Sequence, residues 1–453
     1  MAISGIFTAL SGMNAQRRVI DTAANNIANQ LTPGYRRQVV DLVPVSVGAG
    51  PAVFTKGTGT VALGVDAIDT RRVLDAAAET RARQGTASAV DAATTYQSML
   101  QVEDVFGEPG EAGLSERLDA FWTSWSDLSD RADDAVARNE VLARADTVAD
   151  RFRQANDDLT TIEADTARQF ASIAERSNSL AVEIAQLNRS IASDSGSPNA
   201  LLDERDKLAS ELTSLIGADV RDSDRGQVSI SLGGRLLVGN GTSFEVQATA
   251  TGLEWAGDGQ TVTSGPSEMS ALSRLVSDTI PGLRSELDTI VDDFVTEVND
   301  LHTQGYGLDG TDGRNFFDPT GTTAATIAIS ADVDGEPDFV AAGAPELPGP
   351  VAPGIFDGRQ AQLLGDLSSD GVSTDAYRAM VAEFGIDTNA AGRTASAAQQ
   401  IASTAIDEAE SVSGVNLDEE LTTMMAAQRG FEASARILSI VDEMLQTMIN
   451  MTR

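Results

Sequence analysis

Apolar residues at Ile3, Ile6, Leu10, Met13, Ile20, Ala24, Ile27 and Leu31 advance in steps of three and four, interrupted by Arg17, and predict an amphipathic first helix with a heptad-like seam. Thr32-Pro33-Gly34-Tyr35 stops it, because proline disfavours helical geometry in the residue before it and glycine supplies the turn. From Arg37 to Val73 the pattern becomes short Val-rich runs split by glycine, "VVDLVPVSV" and "GTVALGV", which predict an extended region with one or two hairpins. Helical periodicity resumes near residue 74 and dominates to about 217. The 58 residues from Ala135 to Ala192 hold no proline or glycine. As one helix they would be about 87 Å long, with the best repeat at Ile173, Leu180, Ile184, Leu187 and Ile191. Ser197-Pro198 reads as N-cap and first-turn proline of the next helix. The pattern predicts long antiparallel helices side by side.

A strand-rich island follows from Ala218 to about Gly265, where "GQVSISLGGRLLVG" alternates with period two around a Gly233-Gly234 turn. Helix then returns, with Pro281 expected to kink or restart it, and runs through Leu283, Leu287, Ile290, Phe294, Val298 and Leu301 to a stop near Gly305. Residues 306–366 are rich in Gly, Pro and Asp and predict loop, with a short strand at "ATIAIS". Two more helices precede the last. That last helix carries Leu417, Leu421, Met424, Phe431, Ala435, Leu438, Val441, Leu445 and Met448 on one face, and Gln428 and Gly430 flaw the seam. Both ends of the chain are therefore heptad-like helices, and the rest is inserted between them.

Composition narrows the chemistry. Hydrophobic residues make up 42% of the 453 positions and aromatics 5%, so the interior is expected to be mainly Ala, Leu, Val and Ile, in two or three domains. The net charge of -36 repels phosphates and anionic lipid, which argues against nucleic acid and membrane as partners. The ends are milder: residues 1–40 hold Arg17, Arg18, Arg36 and Arg37 against Asp21, and residues 415–453 hold six acids against Arg429, Arg436 and Arg453. There is no cysteine and one histidine, His302, which leaves carboxylates, Lys56, Lys207 and hydroxyls for any catalysis. The start "MAISGIFTALSGMNAQRR" lacks the pattern of a secretory signal, and taken alone reads as a cytoplasmic protein.

Candidate sites are few. "DSDRGQV" from Asp222 opens like a calcium loop but has Gln227 at the required glycine and Gly233 at the bidentate glutamate. "DVDGEPD" and "DGTDG" read as acidic turns. "LLDERD" clusters Asp203, Glu204 and Asp206 around Arg205; on a helix these face different directions, and Asp203 with Lys207 forms an ordinary i to i+4 pair. His302 is expected at the surface or in a cap. Trp122 and Trp125 share a helix face and are expected in a core between helices rather than on a binding platform. No metal, cofactor or catalytic residue is assigned.

Three asparagines, Asn25, Asn26 and Asn29, sit where the first helix ends, although their amides compete with helical hydrogen bonds. The stretch "SGMNAQRRVIDTAANNIANQLTPGYRRQ" resembles the N-terminal signature of bacterial flagellar axial proteins, the rod, hook and hook-associated families. Arg36 stands where serine is frequent in them. "ALLDERDKLASELTSLIG" with the "GQVSISLGGRLLV" hairpin, "PGLRSELDTIVDDFVTEVNDLHTQGYGLDG" and the C-terminal "GVNLDEELTTMMAAQRGFEASARILSIVDEMLQTMINM" narrow the resemblance to the hook-associated FlgK family.

The resemblance implies a mainly α fold with small β-rich parts. A terminal coiled-coil domain comes from residues 1–35 and 415–453, an extended or hairpin connection from 36–73, a bundle of long antiparallel helices from 74–217 and 266–414, and a small β-rich unit from 218–265, with an outer domain reduced or missing. It also implies a non-enzymatic structural part of the flagellum, a ring of about eleven copies joining hook to filament. The partners implied are the chain itself, the hook protein, the second junction protein and an export chaperone, with extracellular delivery and no cleaved signal. The expected assembly interface comprises Ile6, Leu10, Met13, Ile20, Asn25, Asn26, Ile27, Asn29, Pro33, Gly34 and Tyr35 with Leu417, Leu421, Met424, Phe431, Leu438, Val441, Leu445 and Met448. In that family the asparagines lie where helices meet neighbouring subunits, where buried amides would specify register. The alternatives are another axial protein (a rod, hook or second junction subunit) and, in a different class, a secreted carboxylate-dependent hydrolase or adhesin.

Overall fold

The computed structural model describes residues 2–46, 62–110, 113–194, 196–345 and 352–451; Lys56 and the middle of the predicted extended region lie outside them. The chain is mainly helical. It opens with α1 (Ala2–Asn29), an antiparallel pair β1 (Gln38–Ser46) and β2 (Ala62–Arg72), and four helices: α2 (Ala76–Phe106), α3 (Leu114–Asp130), α4 (Ala135–Ser193) and α5 (Asn199–Ile216). A small antiparallel sheet, β3 (Asp219–Asp222), β4 (Val228–Leu232), β5 (Arg235–Gly239) and β6 (Thr242–Ser243), precedes the pair β7 (Val246–Ala248) and β8 (Leu253–Trp255). Helices α6 (Glu268–Arg274), α7 (Ile280–His302), α8 (Arg359–Asp370), α9 (Val372–Ser413) and α10 (Leu417–Met451) complete it.

Local chemistry sets the boundaries. Asp75 caps α2 by accepting from the Ala77 and Ala78 N–H groups, and Asp134 caps α4 through Val136 N–H. With no proline or glycine to break it, α4 runs unbroken for 59 residues, about 88 Å. The β4–β5 hairpin turns at Gly233 and Gly234, both at positive φ, as the alternating pattern predicts. Helix α5 ends at Gly217, whose φ of +68 is left-handed and whose missing Cβ would sit 2.4 Å from the Gly265 carbonyl oxygen, so two separate constraints require glycine there.

Two boundaries differ from expectation. Pro198 is itself the N-cap of α5 without a side-chain cap bond, because the Ser197 hydroxyl is turned to Asp69 at the base of β2. At Pro281 the helix restarts, as its position predicts, but through a turn that the pattern did not foresee. A π-helical turn, Leu275–Thr279, precedes it, with the Ile280 N–H reaching back to the Leu275 carbonyl, so the wider turn absorbs the missing proline donor.

Two cores are strung on α4. The first contains its residues from Ala137 to Leu159 with α3, α7 and α8, and is centred on aromatic rings. Phe121 lies 4.7 Å from Trp122 and 5.7 Å from Phe294, and Trp125 lies 5.2 Å from Phe316. The two tryptophans are core, as their spacing predicts, and the Trp122 indole N–H donates to the Thr374 hydroxyl at 3.1 Å. Although aromatics are scarce in the chain, they gather here rather than leaving the interior to aliphatics. The second core contains α4 from Phe170 to Ala185, with α5, the β3–β8 strands and Met269, Leu272 and Val276.

His302 corrects the expectation of a surface or capping role. Its ring is 1% exposed and stacks edge-on against Trp125 and Phe316. Nδ1 bonds the Arg314 carbonyl at 2.8 Å and Nε2 accepts from the Ala341 N–H at 2.8 Å, so a neutral imidazole pins two loop strands to the end of α7. Burial pushes its pKa down from 6.5 to about 4. The unfolded chain takes up this proton near pH 6.5 and the folded chain only near 4, so the contribution of neutral His302 is complete above 6.5 and lost as pH falls toward 4. The loss amounts to about 3 kcal/mol. Denaturant melts between pH 7 and 4 are expected to show this slope in the wild type, and His302→Gln is expected to remove that part while keeping the carboxylate-driven part.

Candidate assembly surface

Helices α1 and α10 pack antiparallel through small residues. A Cβ at Gly5 would lie 3.4 Å from Val441, one at Gly12 3.0 Å from the Ser434 hydroxyl, and one at Gly430 2.9 Å from the Gln16 side chain. Ala9, Ala427 and Val441 are buried along the same pair. Gly430 therefore makes room for the Gln16 side chain rather than flawing the pair. A second face of α1 covers the β1–β2 pair: Ala15 packs with Val40 and Ala67, the Ser11 hydroxyl accepts from Val65 N–H at 3.2 Å, and Arg18 donates to the Ala67 carbonyl.

The large residues of the expected seam sit beside this line of small ones. Ile6, Met13, Ile20 and Ile27 on α1, and Met424, Phe431, Leu438 and Leu445 on α10, are half-buried. Leu10, Leu417, Leu421 and Met448 are exposed. A further stripe that periodicity also permitted, at steps of three, four and seven, faces outward on α10: Ile437, Ile440 (55% exposed), Met444 (50%) and Met451. Phe7 on α1 is 62% exposed. The signal was present in the sequence, but α10 is apolar on two faces and only one was read.

Within one chain the asparagines hold the corner between α1 and β1. Asn26 is fully buried; its amide donates to the Gln38 carbonyl at 2.9 Å, and its oxygen accepts from the Gln38 N–H at 3.0 Å and the Tyr35 hydroxyl at 2.8 Å. The side chain thus pairs with the first residue of β1 as another strand would, with both acceptor sites of its oxygen and one of its two N–H donors engaged within the chain. Asn25 donates to the Tyr35 hydroxyl at 3.2 Å, Asn29 donates back to the Asn25 carbonyl at 2.9 Å, and Thr32 donates to Asn29 at 3.3 Å. Burial, with Asp203 and Glu420 nearby, pushes the Tyr35 hydroxyl up to about 12, so it remains a donor. Gly34 takes the left-handed φ of +84 that lets the chain fold back, and Pro33 and Gly34 stay exposed.

Two ionic latches fix this unit to the body. Arg37 pairs with Glu420 at 2.7 Å and Glu419 at 3.1 Å and its N–H donates to the Ser413 carbonyl, while Arg36 pairs with Glu79 at 2.7 Å. On the other side, Arg72 pairs with Asp203 at 2.8 Å and Asp206 at 2.9 Å, and the Asn199 amide donates to the Thr70 carbonyl at 2.6 Å. Asp203 and Asp206 therefore do not diverge, and the expected Asp203–Lys207 pair gives way to a shared arginine from β2. The i, i+3 spacing already put both carboxylates on one face; the partner was invisible because it lies 131 residues away. Between the turn 30–37 and the α9–α10 joint 410–419 lies an open cleft of about 910 Å³, with Leu31, Val412 and Leu417 exposed at it. The "DSDRGQV" segment forms the end of β3 and a short turn whose Gly226 carbonyl accepts from Arg205. Among the described residues no group of three or more His, Asp or Glu side chains could hold a metal ion, and no helix is long and apolar enough to cross a membrane.

Residues 99–317 match the family model "Flagellar hook-associated protein FlgK helical domain". Residues 396–451 match "Flagellar basal body rod FlgEFG protein C-terminal", and residues 6–36 match "Flagella basal body rod protein". The chain is 28% identical to flagellar hook-associated protein 1 of Bacillus subtilis, over 98% of its own length and 97% of the relative's. It is 24% identical to the protein of that name from Salmonella typhimurium, over 98% of each. Its fold is similar to the flagellar hook junction protein FlgK from Burkholderia pseudomallei, with a TM-score of 0.63 at 15% identity, over 74% of this chain and all of that one.

Asn26→Ala is expected to strand the Gln38 N–H and carbonyl and destabilise the α1–β1 corner by about 2 kcal/mol. Hydrogen exchange is expected to show the Gln38 amide losing protection roughly thirtyfold while amides of α4 and α7 stay protected.

Proposed function

The chain belongs to the FlgK family of flagellar hook-associated proteins, and we propose that it is a non-enzymatic building block which assembles with copies of itself into the ring that joins hook to filament. The carrying observation is the uncovered apolar surface of the terminal pair: Ile437, Ile440, Met444 and Met451 on α10 and Phe7 on α1 face solvent in one chain. Such a surface marks a protein contact. We assign residues 1–35 and 415–453 to the terminal domain, 36–73 to the connection, 74–217 and 266–414 to the helical body, and 218–265 to the β-rich unit. Both large cores are built wholly from the latter two, which supports treating the ends as connectors.

On this reading the expected interface residues act in two ways. Gly34, Tyr35, Asn25, Asn26 and Asn29 shape the corner from which the terminal pair projects, and Leu10, Leu417, Leu421, Met448 and the outer stripe meet neighbouring subunits. The hook protein below and the second junction protein above are its partners along the axis, with an export chaperone before assembly and delivery outside the cell without a cleaved signal. Two observations favour it over the alternatives. The match over 99–317 is to a helical domain, which separates this chain from rod and hook subunits with chiefly β middles. Asp203 and Asp206 are neutralised on Arg72, which leaves "LLDERD" no free acid–base pair for hydrolysis.

Deleting the gene in a motile host is expected to abolish filaments, retain hooks and spill filament protein into the medium. Restoring it as the Ile440→Asp, Met444→Asp double variant is expected to give protein with wild-type circular dichroism and melting that fails to restore filaments. Normal filaments from that variant would remove the outer stripe from the interface. Chains lacking 1–35 or 415–453 are expected to stay folded, helical and unable to assemble.

A further inference from the structure

Helix α2, the turn between α5 and β3, and the segment 263–266 enclose a pocket of about 530 Å³. Arg83 lines it from α2, and its Nε–H is buried without an acceptor. Among the described residues Arg83 has neither an ion-pair nor a hydrogen-bond partner, in contrast to Arg36, Arg37 and Arg72 around it in sequence. A guanidinium carries five donors and stays charged, so leaving it half-withdrawn from water and unpaired is costly. Glu79, Asp206 and Asp222 favour its charge from a distance but none touches it, and burial opposes it more strongly.

The geometry points to a carboxylate-binding site, with Arg83 receiving the two oxygens of an acid borne on a short apolar stem. Three features of the walls select this chemistry. Ala87, Ala218, Val220 and Pro266 offer an apolar bed for methylene groups, which a bare oxyanion would not use. Ser88, Thr263 and Ser264 add hydroxyl donors. Asp219 stands on the same wall, and with the nearby acids it penalises a phosphate dianion more than a singly charged carboxylate. The size suits an aspartate or glutamate side chain with its flanking backbone. This inference does not depend on the flagellar assignment, because it rests on the body of the chain alone. The acid is supplied either by a side chain on another copy of this acidic protein or by a free small carboxylate.

The test is a titration of the full chain with N-acetylglutamate, following the arginine Nε–H signals by NMR. A saturable millimolar shift of the Arg83 signal is expected. Binding is expected to be roughly tenfold weaker in Arg83→Lys, which keeps the charge and loses the fork, and absent in Arg83→Gln, with circular dichroism confirming that both fold. No saturable shift, unchanged binding in Arg83→Gln, or inorganic phosphate binding as tightly as N-acetylglutamate would overturn the assignment. Sedimentation separates the two sources. Self-association that N-acetylglutamate competes away identifies a neighbouring side chain, whereas ligand binding without self-association identifies a free acid.

Discussion

Two helices that touch each other through glycine and alanine can come very close but bury little apolar area, and this limit governs the rest of the molecule. The approach at Gly5, Gly12 and Gly430 brings the first and last segments of the chain together along a narrow line. Larger side chains are displaced to the flanks and the outside. A pair built this way gains its direction from elsewhere. The direction comes from polar contacts at the corner. Asn26 on Gln38 and Arg37 on Glu420 tie the two end helices to the start of β1, and Arg36 on Glu79 and Arg72 on Asp203 and Asp206 tie that connection to the body. Buried ion pairs contribute little net stability once desolvation is counted, but they tolerate few alternative geometries. Their value here is orientation, which a building block requires and an apolar contact would not supply.

The same division explains how much was legible in the sequence. Helix α4 was readable because 58 residues without proline or glycine admit few other structures, and the β4–β5 hairpin because Gly233-Gly234 between alternating runs specifies both turn and register. The pairing of the end helices was readable as a periodicity, but its contact line was not, since small residues carry almost no weight in a hydrophobic pattern. Of the candidate surface, the half-buried flank was seen and the outer stripe through Ile440 and Met444 was missed. Asp203 and His302 were misjudged, and the bonds of Asn26 to β1 were not foreseen, for one common reason. Each is a polar side chain whose partner is brought close only by the fold, whether a strand N–H, an arginine from β2 or two loop backbones. Without those partners the ordinary expectation for such residues is the surface.

The body is stiff where it is thick and slender where it meets the ends. One helix, α4, passes through both cores, so the β-rich unit and the aromatic core are joined along a single element. Toward the terminal unit the chain narrows to α2 against α9. Gly85 there packs on the Ala402 backbone, and Ala78, Ala82, Ala405 and Ala409 form a small cluster of their own. Here too small residues allow close approach at the expense of buried area. The latches at Arg36–Glu79 and Arg37–Glu420 lie at the end of this neck, where an unlatched pair of helices would be freest to swing.

The distribution of charge fits the same economy. A chain of net charge -36 repels its own copies at long range, which keeps a protein with exposed isoleucine and methionine apart before assembly. The ends contribute little to that repulsion: residues 1–40 carry four arginines against one aspartate, and the final segment only a modest excess of acids. The charge is thus concentrated in the body and is light at the ends, where the proposed assembly would bring apolar faces together. Screening at physiological salt cuts the body's repulsion beyond about 8 Å, while apolar contact acts at the surface itself and is indifferent to salt over that range. On the proposed reading, association through the termini would be opposed at a distance and favoured at contact, a balance that would resist random aggregation and yield to copies already held in line.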